Sequence, residues 1–141
     1  MKVADILKTK GSNIYAVLPN ITVYDALELM CEKNIGVLMV MENDQLIGIF
    51  SERDYARKVV LVNRTSRETL ISDIMTTTVI TVAPADSIEH CMELMSNKKI
   101  RHLPVALNAK VSGLISISDV VTAIIQTQKE TILHLENYIH Q

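Results

Sequence analysis

The sequence has no tryptophan, and its 141 residues include only two cysteines, one phenylalanine and four tyrosines. This shortage of aromatic side chains and a net charge of −2 argue against a nucleic-acid groove, which needs a basic field and aromatic stacking. Cys31 and Cys91 have neither metal-ligand nor redox-pair spacing. No apolar run approaches the roughly 20 residues that span a bilayer, and the start lacks the apolar core of a signal peptide. We therefore expect a cytoplasmic protein that binds neither nucleic acid nor membranes.

The composition that is present belongs to a globular protein. Hydrophobic residues make up 48% of the chain and charged residues 21%. A chain of this length folds into one compact domain that buries roughly two-thirds of its unfolded surface. The sequence shows no Ser-His-Asp set, no GxxxxGK phosphate loop and no paired catalytic carboxylates, so we expect that it is not an enzyme.

An internal repeat with a period of 65 residues dominates the sequence. It aligns Val17–Val60 with Val82–Ile125 without a gap and with thirteen identities. Such self-similarity is typical of a repeated supersecondary unit that buries its apolar face against its copy. The identical pairs include Gly48/Gly113, Ser51/Ser116 and Asp54/Asp119. In each copy a strand carries a glycine, which often marks the close approach of a ligand or another backbone. A Ser-x-x-Asp that opens a helix follows each of these strands.

Each repeat predicts the order strand, helix, strand, strand, helix, so the fold class is α/β (α+β) with two tandem β-α-β-β-α units. Thr22 begins the first predicted long helix, whose apolar residues recur at helical spacing. The last helices of the two units are predicted at 52–61 and 118–126. We divide the chain into a first unit at 1–68, including an N-terminal extension and a linker, a second unit at 69–127, and a helical tail at 128–141.

These motifs resemble the CBS domain, named after cystathionine β-synthase. The resemblance covers about Val3 to Gln126 and rests on the two Gly-x-x-Ser-x-x-Asp motifs, on Ile74-Met75-Thr76 and on the segment Ile100–Val105. The chain is similar to a small free-standing pair of such domains, called a Bateman module.

The resemblance implies two units packed with pseudo-two-fold symmetry and adenosine ligands in the clefts between them. These ligands include AMP, ADP, ATP, S-adenosylmethionine and NAD(H), and no cofactor is obligatory. It further implies a regulatory, signal-transducing homodimer with an unidentified downstream protein partner. A structural or interaction dimer with empty clefts is the alternative, and an enzyme whose active site forms between subunits is a third possibility.

The first repeat departs from the family pattern at two places. Met39 stands where the family has a proline, which the second repeat keeps as Pro104. Gly36 and Val37 also stand where the second repeat has Arg101 and His102. We therefore expect two clefts that are not equivalent.

Asp54 and Asp119 are the principal candidate ligand-binding residues. A carboxylate at a helix start accepts hydrogen bonds from both hydroxyls of a ribose, an arrangement that needs an acidic side chain. The alternative is that each aspartate only caps its helix. Ser51, Ser116 and Ser118 have the same two interpretations, as helix caps or as hydroxyl donors to ribose or phosphate.

Arg101 and His102 begin the strand after the second-repeat helix, at an edge that faces the cleft in CBS pairs. Arg101 suits a phosphate as a forked donor, and a solvated strand end is the alternative. His102 either adds a pH-dependent donor or packs as an ordinary histidine. Arg53 is the one basic residue of the segment 53–67 that we include, as part of a phosphate-attracting rim.

Two polar segments precede the first strand of each unit. In the family they line the cleft that holds the other unit's aspartate, with backbone groups on adenine and hydroxyls on phosphate. Ordinary polar loops are the alternative, and the two aliphatic residues either sandwich the base or belong to the core. The residues are Ser12, Asn13, Ile14 and Tyr15 in the first segment and Thr76, Thr77, Thr78 and Val79 in the second.

The C-terminal tail continues an apolar pattern with alternating steps of four and three residues. This pattern is a heptad seam with one polar member. A segment this short does not persist as an isolated helix in water, so its apolar face covers either its own module or a second subunit. We expect a homodimer to which residues 128–141 contribute. The seam consists of Val121, Ile125, Gln128, Ile132, Leu135 and Ile139.

Overall fold

The computed structural model describes residues 1–140, and Gln141 lies outside the described residues. The mixed α+β class is confirmed, and the first repeat has the predicted order of strands and helices. In the second repeat the predicted first strand is only an isolated parallel bridge between Val82 and Val105. The helices are α1 (Val3–Lys10), α2 (Val23–Lys33), α3 (Glu52–Lys58), α4 (Ile71–Ile74), α5 (Ile88–Lys98) and α6 (Ile117–Ile139), with a 3₁₀ turn at Val60–Val62. The strands are β1 (Ala16–Val17), β2 (Val37–Glu42), β3 (Gln45–Ser51), β4 (His102–Leu107) and β5 (Lys110–Ser116).

The chain folds into two compact units whose membership differs from the division at residue 68. The first-repeat unit contains residues 14–80 and 108–111, and the second-repeat unit contains residues 1–13, 81–107 and 112–140. These compact units differ from the expected first unit at 1–68, because residues 1–13 lie outside the first-repeat unit and residues 69–80 lie within it.

The short helices α1 and α4 explain this membership, because each is hydrogen-bonded to the start of a long helix. Lys2 pairs with Ser87 in an antiparallel bridge, and the Val3 N–H donates to the Asp86 carbonyl at 2.9 Å. The corresponding bonds of α4 join Leu70 to Thr22 and the Ile71 N–H to the Ile21 carbonyl at 2.9 Å. The N-terminal helix thus completes the second repeat, and the helix between the repeats completes the first.

Side-chain caps fix the starts of both long helices. The Thr22 hydroxyl accepts a hydrogen bond from the Asp25 N–H at 3.1 Å, as the sequence predicts. Ser87 does the same for α5 through the His90 N–H at 3.1 Å. Such caps satisfy backbone donors that have no partner within the helix. Both helices then bury the same apolar face, with Val23, Ala26 and Met30 in α2 and Ile88, Cys91 and Met95 in α5.

Both repeats contain a hairpin with a two-residue turn. β2 pairs with β3 from Glu42 opposite Gln45, and the two turn residues Asn43 and Asp44 have φ angles of 54° and 62°. The β4–β5 turn has the same form at Asn108 and Ala109, with φ angles of 53° and 66°. Two successive positive φ angles belong to the turn whose twist matches that of the flanking strands. β1 adds to the first hairpin as a parallel strand beside β2.

The repeated glycines lie against side chains of the short helices. A Cβ atom at Gly48 would lie 2.5 Å from Met75 Sδ and 3.2 Å from the Thr76 carbonyl oxygen. A Cβ atom at Gly113 would lie 2.7 Å from Leu7 Cδ2. Of the two expected neighbours, a ligand or another backbone, the backbone of Thr76 lies close to Gly48 together with the Met75 side chain, whereas at Gly113 the Leu7 side chain fills the space. Met75 and Leu7 are equivalent residues of the two copies.

Replacing Gly48 with alanine is expected to destabilise the protein by about 1–3 kcal/mol, because the added methyl group forces Met75 and the backbone at Thr76 to move. Gly36→Ala is the matched control, since its Cβ would meet the nearest atom, on Glu52, at 3.5 Å. Chemical denaturation of both variants measures the difference. Equal stability of the two variants would show that the Met75 contact does not require glycine.

The last helix is longer than the sequence predicts. Instead of ending near Gln126 ahead of a separate tail, α6 runs without a break from Ile117 to Ile139. Val120 and Ala123 are buried in the second-repeat unit. Residues 128–139 form the exposed second half of the same helix. The boundary that we placed between residues 127 and 128 is therefore not a structural boundary.

Candidate functional site

Both Ser-x-x-Asp motifs form complete capping boxes. Asp54 Oδ2 accepts from the Ser51 N–H at 3.0 Å, and the Ser51 hydroxyl accepts from the Asp54 N–H at 3.2 Å. In the second repeat, Asp119 Oδ2 accepts from the Ser116 N–H at 2.8 Å, and the Ser116 hydroxyl accepts from the Asp119 N–H at 3.3 Å. The strand ends at the serine and the helix begins at the next residue, so this geometry holds each carboxylate at a strand-to-helix corner. The cap occupies Oδ2 and leaves acceptor capacity on each carboxylate for a ligand.

Asp119 forms an ion pair with a lysine from a distant part of the chain. Lys10, the last residue of α1, places Nζ 2.6 Å from Asp119 Oδ2 and donates to the Leu114 carbonyl at 2.9 Å. Burial raises the pKa of the Asp119 carboxyl, but the hydrogen bonds from Lys10 and Ser116 outweigh burial and hold it below its usual value. Asp119 is therefore a carboxylate at neutral pH.

The other second-repeat candidates lie around the same corner. The hydroxyls of Ser116 and Ser118 are 2.9 Å apart, and the Ile117 N–H donates to the Arg101 carbonyl at 2.8 Å. This backbone bond places Arg101 beside the first residue of α6. The structure thus brings Ser116, Ser118, Arg101 and Asp119 together.

His102 is half-buried at the start of β4. Burial lowers the pKa of its imidazole, Lys10 and Arg101 lower it further, and Asp119 opposes them. These charges act on His102 because all three lie near it. His102 is therefore neutral at pH 7, and it titrates only in more acidic solution.

Asp54 also forms an ion pair with a lysine, but this lysine lies on the same helix as Asp54. Lys58 Nζ lies 3.4 Å from Asp54 Oδ1 and also donates to the Ile74 carbonyl at 3.1 Å. The Thr76 hydroxyl donates to Asp54 Oδ1 at 3.4 Å. Thr76 reaches this position because its backbone pairs with Ile49 of β3 through two bonds of 2.9 Å. The structure therefore joins Thr76 to Asp54, both of which the sequence singles out.

The remaining candidate residues are exposed or half-buried. Thr77 and Thr78 are exposed and Val79 is half-buried in the segment after Thr76, and Arg53 is exposed in the first turn of α3. In the N-terminal segment Ser12, Asn13 and Tyr15 are exposed and Ile14 is half-buried. Ser12 and Asn13 follow Lys10 in the second-repeat unit, whereas Ile14 and Tyr15 belong to the first-repeat unit, where the Met39 N–H donates to the Tyr15 carbonyl. That segment is therefore divided between the two units.

Lys10 and Lys58 are the residues that sequence reasoning missed. Lys58 stands four residues after Asp54 on one helix, which is the spacing of an ion pair, so a signal for it existed. Lys10 is 109 residues from Asp119, and no local pattern links the two. Contacts of that kind follow only from the packing of α1 in the second-repeat unit.

The two corners differ in charge where the repeats differ in sequence. At the first corner the Glu52 carboxylate lies 3.5–3.7 Å from where a Cβ atom of Gly36 would be. At the second corner the corresponding residues are Ile117 and Arg101. An acidic side chain in the first repeat is thus replaced by an apolar one, and a glycine by a cation. Arg53 and Lys58 balance Glu52 and Asp54 at the first corner, whereas Lys10 and Arg101 exceed Asp119 by one charge at the second, so the Asp119 corner is the more positive of the two.

A groove lies beside the Asp119 corner, between α1 and α6. Its volume is about 800 Å³, and Lys10 and Asp119 line it together with Ile6, Ala123 and Gln126. Among residues 1–140, no helix is long and apolar enough to cross a membrane. In the same range, no three or more His, Cys, Asp or Glu side chains are grouped so that they could hold a metal ion.

Comparison with known families identifies both repeats. The model of the CBS domain matches residues 3–61 and again residues 71–126. The chain belongs to the CBS domain family. The two capped aspartates therefore lie in corresponding places of two CBS units.

Individual relatives agree with this assignment. The mitochondrial CBS domain-containing protein CBSX3 of Arabidopsis thaliana is 37% identical over 97% of this chain and 71% of its own length. A putative signal-transduction protein with CBS domains from Burkholderia ambifaria is 49% identical, with a TM-score of 0.86 over 91% of this chain and 96% of that one. The CBS domain pair of protein MJ0100 is 25% identical, with a TM-score of 0.78 over 90% of this chain and 98% of that one. That protein was solved in complex with 5′-methylthioadenosine and S-adenosyl-L-methionine.

Proposed function

We propose that this CBS pair is a regulatory module that binds adenosine nucleotides, such as AMP, ATP or NAD(H), at the corners that carry Asp54 and Asp119. The observation that carries the proposal is the pair of capped carboxylates, each at a strand-to-helix corner with acceptor capacity to spare. A ribose offers two adjacent hydroxyl donors, which a carboxylate accepts better than any neutral side chain does. The MJ0100 pair, which has the same fold, binds two adenosine ligands and supports this class of ligand.

In this proposal the module acts as a sensor. A ligand shifts a conformational or assembly equilibrium only as far as its affinities for the two states differ. The nucleotide would therefore change dimer geometry or the surface offered to a downstream protein, without any chemical reaction at either corner. Two experiments test it directly. The first is mass spectrometry of small molecules released from the purified protein, and the second is calorimetric titration with a panel of AMP, ADP, ATP, NAD and NADH.

The second candidate function is that of an interaction module without a physiological nucleotide. The exposed apolar side of α6 favours it, because Ile132 and Leu135 are each more than half exposed. Large exposed apolar surfaces mark interaction sites. The absence of any bound small molecule and of any heat with the nucleotide panel, in a protein that still self-associates, would favour this second function.

The two corners are expected to bind nucleotide with unequal affinity. Glu52 adds negative charge near Asp54, whereas Arg101 adds positive charge near Asp119, so a phosphate is favoured at the second corner. Calorimetry should show two binding steps, or one site that stays empty at moderate concentration. A titration curve that fits two identical sites per chain would contradict this expectation. Asp119→Asn should remove the tighter step and Asp54→Asn the weaker one.

A further inference from the structure

Resting on the proposed nucleotide function, we infer that Lys10 determines the ligand class of the Asp119 corner, because it pairs with the carboxylate until a ribose displaces it and then selects adenosine ligands that carry a phosphate. Lys10 belongs to the second-repeat unit and lies outside the repeated motifs.

Lys10 and Asp119 form a close ion pair. Lys10 Nζ is 2.6 Å from Asp119 Oδ2, whereas Lys58 Nζ is 3.4 Å from Asp54 Oδ1 at the other corner. A ribose that binds Asp119 through both hydroxyls must share this carboxylate with the ammonium group or displace it. Lys10 therefore competes with the ribose for the Asp119 carboxylate.

Lys10 lies at the end of a helix, where its side chain is able to move when a ribose displaces it from Asp119. It is the last residue of α1, and Gly11 follows it with a φ of 92°, in the left-handed region that favours glycine. The exposed residues Ser12 and Asn13 come next. The side chain is long and has three rotatable donors, so the ammonium group leaves Asp119 without unfolding the helix.

The net charge at this corner is positive. Asp119 is paired with Lys10, Arg101 lies nearby and His102 is neutral, so the sum is one positive charge. When ribose hydroxyls replace Lys10 on Asp119, the ammonium group becomes free to pair with another anion. A 5′-phosphate on the same ligand provides that anion a few ångströms from the ribose. Adenosine has no phosphate, so it displaces the lysine from Asp119 without supplying another anion for the ammonium group.

The Asp54 corner supports the assignment by contrast. Its lysine, Lys58, comes from α3 and bonds mainly to the Ile74 carbonyl, with the carboxylate at 3.4 Å. In the second repeat the residue at that place is Ala123. The two corners thus obtain their cation from different elements, and only at Asp119 does the cation sit at the end of the segment that leads to Ser12.

The test compares AMP with adenosine, which share adenine and ribose and differ only in the phosphate. All proteins carry Asp54→Asn, which silences the other corner while keeping a hydrogen-bonding cap. Calorimetry is run on this background alone and with Lys10→Met, Lys10→Arg or Lys8→Met. Lys8 is the matched control, because it is an exposed lysine of the same helix that lines the same groove.

We expect the background protein and Lys8→Met to bind AMP at least about tenfold more tightly than adenosine, since charge-assisted bonds are roughly twice as strong as neutral ones. Lys10→Met should lose most of this preference. It should also bind adenosine about two- to fivefold more tightly, because a partly exposed competing ion pair is gone. Lys10→Arg should retain the AMP preference.

Two results separate the possible failures. An AMP-to-adenosine ratio in Lys10→Met equal to that in Lys8→Met would overturn the role of Lys10 and leave nucleotide binding intact. Absence of binding by the background protein and by the wild-type chain would overturn the nucleotide function, and this inference with it. A ligand-free check is the carbon-13 titration of the Asp119 carboxyl. Its pKa should rise in Lys10→Met and stay lowered in Lys8→Met, and an unchanged pKa in Lys10→Met would show that the ion pair is absent in solution.

Discussion

Replacing Asp119 with alanine is expected to weaken nucleotide binding roughly tenfold to more than a hundredfold. The substitution removes hydrogen bonds from the ribose hydroxyls to a charged acceptor, which contribute about 1.5–3 kcal/mol. A loss of that size converts to the stated range of affinity. The pKa of Asp119 is already held low, so the wild-type carboxylate is charged throughout the pH range of a calorimetric titration. Unchanged nucleotide affinity in the variant would remove Asp119 from the site.

The control for this experiment must separate ligand binding from helix capping. Asp119→Ala also deletes the capping box of α6, which by itself costs about 0.5–2 kcal/mol of stability. Ser87→Ala is the matched variant, because it removes the side-chain cap of α5 in the same unit without touching the corner. Both variants should lose stability in thermal denaturation, and Asp119→Ala should lose somewhat more because it also removes the ion pair with Lys10. Only Asp119→Ala should lose affinity, and a comparable loss in Ser87→Ala would attribute the effect to weakened folding.

The repeat made most of the local structure predictable. The N-cap at Thr22 and the matching Ser87 are short-range signals, because the hydroxyl and the N–H that it accepts are three residues apart. The turn at Asn43 and Asp44 is likewise encoded by two residues that tolerate positive φ. The same holds for the capping boxes at the two aspartates. Each of these features depends on atoms within a few positions of one another.

The features that could not be predicted depend on packing between distant segments. The similarity of Val3–Leu7 to Ile71–Met75 indicates equivalent helices, but nothing in either segment states which repeat it joins. The backbone bonds from Val3 and Ile71 decide this, and they place each segment with the repeat that we had not assigned to it. The ion pair between Lys10 and Asp119 then follows from that exchange. An inference restricted to spacing along the chain misses both.

The length of α6 was underestimated for a simpler reason. The sequence from Leu114 to the end contains neither glycine nor proline, so no residue interrupts the helix after the second unit's core. The opposite happens after α3, which ends at Lys58, earlier than the predicted Leu61. There Val59 and Val60 are β-branched, which lowers helix propensity, and the chain continues as the 3₁₀ turn to Asn63 at a φ of 61°.

The exposed seam on α6 bears on the assembly of the chain. Val120 and Ala123 pack into the second-repeat unit, whereas Val121 and Ile125 lie on a neighbouring face and are 40% and 46% exposed. Further along, Ile132, Leu135 and Ile139 are 57%, 55% and 75% exposed. The tail therefore does not cover the core of its own module, and that alternative is wrong. We expect a second copy of the chain to cover this seam, because two seams of heptad spacing interlock along their length.

Removal of the tail is accordingly expected to weaken a homodimer at least about a hundredfold, since Ile132, Leu135 and Ile139 each stabilise by about 1.5–3 kcal/mol when fully buried. Part of that energy is offset by the ordering that association requires.

Light scattering and sedimentation compare the full chain with a chain that ends at Thr127. The same measurements apply to Ile132→Glu, which puts a charge into the seam, and to His134→Glu, which puts the same charge on an exposed position outside it. The shortened chain and Ile132→Glu should dissociate, while His134→Glu should remain dimeric. Equal dissociation constants for all four proteins would show that α6 does not contribute to the dimer, and a monomeric full chain would show that the seam has no second copy as its partner.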